Sequence, residues 1–169
     1  TASTVSACAG SNISFTLNNY IGNIYKWQYK TKANNWIDSL INTPTISFNN
    51  VSDTISVRAI TTSLSNACSV YDTTAAAAIV NINPQTVAGI LSADATVCSN
   101  SNHGVLHLKN YVGNILYWQS STDNGNTWNN ISNTTDSLVY NNLLSTTKYR
   151  TFVQSGVCAS LISNTVTVI

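Results

Sequence analysis

Tyr111–Ile131 reads YVGNILYWQSSTDNGNTWNNI, and Tyr20–Ile37 reads YIGNIYKWQYKTKANNWI. In each copy a Tyr, a β-branched residue, Gly and Asn lead into an apolar run ending in Trp-Gln, followed by a polar turn and a second Trp. A chain of 169 residues that repeats itself near its midpoint is organised as two small domains. The boundary falls at Asn83-Pro84, because Pro cannot donate to a strand ladder and stiffens the junction. The expected domains are 1–83 and 84–169. The first is expected to lack its leading strand, because Thr86–Ile90 (TVAGI) has no counterpart ahead of Thr1, as in a piece of a longer array.

Around that pair the composition points to an all-β chain. Only 8% of residues are charged, Glu and Met are absent, and Asn, Ser and Thr dominate the polar positions. Thr, Val, Ile and Tyr suit strands, and Asn and Ser suit turns. A net charge of +1 without a basic or acidic block gives no hold on nucleic acid or an anionic membrane. No apolar run reaches the roughly 18 residues of a membrane-spanning helix.

Strand signals recur at turn-punctuated spacing. Ile13, Phe15 and Leu17 alternate with Ser14 and Thr16, and Leu106 and Leu108 alternate around His107. On the central strands, period-two alternation places Trp27 with Tyr25, and Trp118 with Leu116, on the core face. Val57 and Tyr149 point inward on a later strand, with Arg58 and Arg150 at the next position. Ala75–Ala78 favour helix by propensity, yet the repeat sets Ala76 and Ala78 against Val166 and Val168 and predicts a strand. About seven strands per half, a Trp on a central strand and a Tyr entering a late one describe two tandem immunoglobulin-like sandwiches, with Trp27, Trp118 and Tyr149 as core residues.

Cys98 follows Cys8 by 90 residues, and Cys158 follows Cys68 by 90, so each half owns an early and a late cysteine. Four cysteines allow three pairings. The repeat makes Cys8–Cys68 and Cys98–Cys158 the economical set, one bridge within each domain. Such a bridge would add roughly 4 kcal/mol in the chain-entropy model and would imply an oxidising compartment. Four free thiols are the alternative, and no Cys/His spacing suits zinc.

The segments VCSNSNHGVLHLKNYVGNILYWQSSTDNGNTWNNI, TKYRTFVQSGVC and SNTVTV resemble the immunoglobulin-like repeats of very large surface proteins of Bacteroidota, among them the gliding-motility adhesin exported by the type IX secretion system. The first half keeps Trp27-Gln28, Trp36, Arg58 and both cysteines but lacks the SxDxGxTW turn. The resemblance implies a non-enzymatic cell-surface array serving as stalk and binding surface. Its partners would be neighbouring repeats of the same polypeptide and a surface polysaccharide or other surface ligand.

Ser121, Asp123, Gly125, Thr127 and Trp128 match the Asp-box, SxDxGxTW, in which Asp caps turn amides and Trp packs beneath; a sialidase would need several copies and an arginine cluster, and the chain has two arginines. The same loop fails as a calcium site, because its twelfth position is Thr134 and hard cations want several carboxylates. His103 and His107, four apart on one strand face, have no acidic or cysteine partner and read as solvent-facing. No catalytic triad or paired carboxylate stands out, and no cofactor or metal is expected. Lys26, Lys30, Lys32 and Arg58 form a mild basic side, too few for nucleic acid. Asp-Ser/Thr pairs at Ser39, Thr54, Thr73 and Ser137 are similar to the O-glycosylation pattern of Bacteroidota, though also ordinary turn chemistry.

The leading expectation is thus an adhesin segment without catalysis, extracellular and at the cell surface. The alternative is an accessory or carbohydrate-binding module of an exported glycan-degrading enzyme, for which a planar row of exposed aromatics drawn from Tyr20, Tyr29, Tyr117 and Tyr140 should appear. A pure spacer is the third reading.

Overall fold

The structure, a computed structural model, describes residues 4–32, 34–62, 71–74, 77–92 and 94–169. The chain divides into two compact units, Thr1–Asn83 and Pro84–Ile169. Cys68, Ala75 and Ala76 lie outside the described residues.

In the first unit the strands are β1 (Thr4–Cys8), β2 (Ser11–Thr16), β3 (Asn23–Thr31), β4 (Ile37–Ser39), β5 (Thr45–Val51), β6 (Ile55–Thr62), β7 (Tyr71–Thr73) and β8 (Ala78–Asn83). One sheet runs β1-β8-β6-β3-β4, with β7 also on β6, and the other is β2-β5. Phe15, Ile46 and Val51 of the smaller sheet meet Ile24, Trp27, Val57 and Val80 of the larger in one core.

The second unit contains β9 (Val87–Leu91), β10 (His103–Val112), β11 (Asn114–Ser121), β12 (Asn129–Ile131), β13 (Ser137–Asn141), β14 (Thr147–Gln154), β15 (Leu161–Ile162) and β16 (Val166–Val168). Its sheets are β12-β11-β14-β15, with β16 also on β14, and β13-β10-β9. The core joins Leu91, Leu106, Leu108 and Leu138 to Ile115, Trp118, Tyr149, Val153 and Val166. Trp118 is fully buried and Trp27 nearly so. Withdrawing an indole from water removes about 200 Å², worth roughly 5 kcal/mol of apolar burial. Each indole N–H still finds an acceptor, the carbonyl of Thr135 at 3.0 Å for Trp118 and of Thr43 at 3.0 Å for Trp27.

Two sequence expectations need correction. Leu116 and Tyr25 do not share the core face with the tryptophans; they are 38% and 49% exposed. A bulge shifts the register between Ile115 and Tyr117, and another between Ile24 and Lys26. The extra residue inverts the alternation, so Ile115 and Ile24, three residues before each Trp, turn inward instead.

The Cys98–Cys158 bridge is also absent, since Cys98 is a free, exposed thiol while Cys8 and Cys158 are each disulfide-bonded. Val97 donates to the carbonyl of Ile169, and Val168 pairs with Thr147, which puts Cys98 beyond the start of β14. Cys158 follows the other end, its carbonyl held by the Gln154 side chain. Eight strand residues separate the two ends by about 25 Å, whereas a disulfide needs Cα atoms within about 7 Å.

Candidate functional site

Side chains that leave the core face of β11 and β14 build an outer surface with the same plan in both units. Gln119 on β11 lies opposite Arg150 on β14. The Arg150 Nε donates to Gln119 Oε1 at 2.7 Å, and the Gln119 amide donates to Asn130 on β12 at 2.8 Å. The guanidinium lies over the ring of Trp128, 3.9 Å from its centroid, while Phe152 stacks on Tyr117 at 4.7 Å. In the first unit Arg58 donates to Gln28 at 2.7 Å, Gln28 donates to Asp38 at 2.7 Å, and Arg58 covers Trp36 at 4.1 Å. A cation over an indole, fixed in plane by a side-chain amide, is a stiff and half-desolvated pair.

The Asp-box is a hydrogen-bonded turn. Ser121 is buried; its hydroxyl donates to Asp123 at 2.7 Å and accepts the Gly125 N–H at 2.8 Å. Asp123 takes both the backbone N–H and the hydroxyl of Thr127. Those Thr127 bonds, then the Ser121 hydroxyl, hold the Asp123 carboxyl well below the usual range. Asn124 and Gly125 adopt φ of 63° and 95°, which lets the chain turn tightly enough for the Trp128 N–H to reach the Gly125 carbonyl at 3.0 Å. The bonds of Ser121, Asp123, Thr127 and Trp128 close within the turn, and Lys148 on β14 donates to the Asn124 carbonyl at 3.3 Å. In the first unit, Lys26 at 2.6 Å and Gln28 lower the Asp38 carboxyl instead.

The remaining sequence candidates fall in separate places. Trp27, Trp118 and Tyr149 are core residues, and burial raises the Tyr149 phenol. His103 and His107 are exposed on β10, opposite Asn141 and Ser137. Of the four tyrosines proposed as an aromatic row, Tyr140 is buried against Tyr149 and Tyr29 packs on Phe48 beside the core. Thr73 is exposed, Ser39 and Ser137 are half-buried, and the Thr54 hydroxyl accepts from the Ile82 N–H. Among the described residues no group of three His, Cys, Asp or Glu side chains could hold a metal.

Sequence reading missed the Arg–Trp stack. Its signal was present: each half carries the same three residue types, Gln28, Trp36 and Arg58 in one and Gln119, Trp128 and Arg150 in the other.

Fold and surface together define immunoglobulin-like β-sandwich domains in tandem. Residues 87–169 match a family model described as "Domain of unknown function (DUF8696)". No curated protein matches the chain. Among solved structures, titin domains I67–I69, an E-to-A mutated variant, align with a TM-score of 0.57 at 8% identity, over 98% of this chain and 61% of that one. Titin domains A168–A170 give 0.54 at 13% identity, over 96% and 60%. The N-terminal four Ig domains of Dscam1 isoform 8.4 give 0.52 at 11% identity, over 99% and 43%. The chain thus spans about 60% or less of these fragments, and the likeness is one of fold.

Proposed function

We propose that this chain is a non-enzymatic segment of a secreted, cell-surface repeat adhesin of the Bacteroidota type, exported by type IX secretion and serving attachment, gliding motility included. It acts as stalk and binding surface, with neighbouring repeats and a surface polysaccharide as partners. The observation that carries this reading is the duplication of one plan, a buried Trp beneath an outer Gln–Arg–Trp network, in two immunoglobulin-like units. Disulfide-bonded Cys8 and Cys158 support an oxidising, extracellular setting. The polar groups of the Asp-box and the Gln–Arg–Trp networks are turned on one another, which favours scaffolding over catalysis.

Beads coated with the chain should be retained on films of the producing cell's surface polysaccharide and should release no reducing sugar from it. Reducing sugar released in proportion to protein would overturn the reading, and retention equal to that of an unrelated sandwich domain would reduce the role to spacing. O-glycosylation is proposed at Thr73, the exposed member of the four candidate hydroxyls; an intact mass equal to the bare chain would remove it.

A further inference from the structure

The repeat exposes a difference between the units at one sheet edge. In the second unit β9 lies antiparallel to β10, with Leu91 opposite Leu108, Ile90 opposite Lys109, Ala88 opposite Tyr111 and Val87 opposite Val112. Ser92 and His107 close the end of the ladder, Ser92 N–H donating to the His107 carbonyl at 3.0 Å and His107 N–H to Ser92 Oγ at 3.3 Å. So paired, β10 runs ten residues, to Val112.

The equivalent strand of the first unit has the same local geometry. Leu17 N–H donates to the Pro44 carbonyl as Leu108 N–H does to that of Asp136, both at the facing sheet partner's side. Asn19 and Asn110 share the left-handed conformation, φ 53° and 56°. By this match Thr16 and Asn18 stand where His107 and Lys109 stand, their backbone groups turned to the opposite edge. Among the described residues no strand pairs with that edge, and β2 ends at Thr16 after six residues. Burial changes in step: Leu106 and Leu108 are each 2% exposed, whereas Phe15 is 9% exposed, Leu17 is half-buried and Ile21 is 88% exposed.

We propose that the Leu17–Ile21 edge is a strand-accepting site whose occupant is an extended polypeptide segment of the chemistry of Val87–Leu91, added antiparallel to β2 in the register that β9 takes on β10. An unpaired edge offers main-chain hydrogen bonds for affinity, and apolar positions on the added strand supply specificity. The occupant needs Gly at the third position, because Gly89 sits at φ 78° and a Cβ there would lie 2.8 Å from the Lys109 carbonyl oxygen and from Tyr111 Cβ. It needs an apolar residue at the position of Leu91, which is 3% exposed.

The test prefixes the full chain, carrying Thr1→Leu, with a copy of Pro84–Ile90, so that residue 1 stands at the position of Leu91 as an apolar side chain, and follows amide hydrogen exchange. Exchange at Asn18, Tyr20 and Ile21 should slow by about tenfold or more while that of Lys109 and Tyr111 stays put. The same prefix carrying Val at the position copied from Gly89 should give no protection. Equal protection from both prefixes, or from neither, overturns the proposal. Protection of the same amides in the unprefixed chain that grows with protein concentration would assign the edge to a second copy and overturn it as well.

Discussion

The guanidinium of Arg150 lies 3.9 Å from the centroid of the Trp128 ring while its Nε is held by Gln119 at 2.7 Å, and Arg58 repeats the arrangement on Trp36. A desolvated cation–π pair and a side-chain hydrogen bond each contribute about 1 kcal/mol. Arg150→Ala is therefore expected to lower the urea unfolding free energy of the second unit by about 1–2 kcal/mol. Arg150→Lys should recover less than half, because an ammonium cannot both lie flat on the indole and bond Gln119 in plane.

Asp123 carries a pH signature. Its folded pKa lies below the unfolded value, so its contribution is complete above about pH 4 and is lost as pH falls through that value and toward the folded pKa. The thermal midpoints of the native chain and of Asp123→Asn should differ most near pH 7 and draw together progressively as pH falls below about 4. A difference constant across that range would show that the carboxylate charge plays no part in the turn.

Two glycines separate steric from conformational cost. A Cβ on Gly113, at φ 122°, would lie 2.5 Å from the backbone carbon of Gln154, whereas one on Gly125, at φ 95°, would meet only the Trp128 ring at 3.5 Å. Gly113→Ala must push two strands apart and should cost about 3 kcal/mol or more. Gly125→Ala bears only the left-handed backbone penalty of about 1–2 kcal/mol. Chemical denaturation of the two variants under one condition makes the comparison.

Cys98 should alkylate fully in the native, unreduced protein, and Cys158 should not. Cys98→Ser should leave the melting temperature within experimental error. A peptide map showing Cys98 linked to Cys158 would contradict the placement of these residues at opposite ends of β14.

Much of this was legible in the residues. Trp27 and Trp118 mark the two cores because a repeated indole inside an apolar run has nowhere else to go, and SxDxGxTW marks its own turn through Asp and Gly. The facing of Leu116 and Tyr25 was not legible, since a single inserted residue flips the alternation without altering composition. The Cys98–Cys158 pairing failed for a similar reason: a spacing of 60 residues says nothing about which end of the sandwich each cysteine reaches. The Arg–Trp stack was written in the repeat but needs the register of β11, β12 and β14 before the side chains can be seen to meet.

Each half folds around its own tryptophan-centred core. Residues 84–169 expressed alone, with reductant present, are the direct test by amide NMR. A dispersed spectrum is expected, with the Trp118 indole N–H protected from exchange, as its bond to the Thr135 carbonyl requires. A collapsed spectrum with rapid exchange of that proton would contradict it.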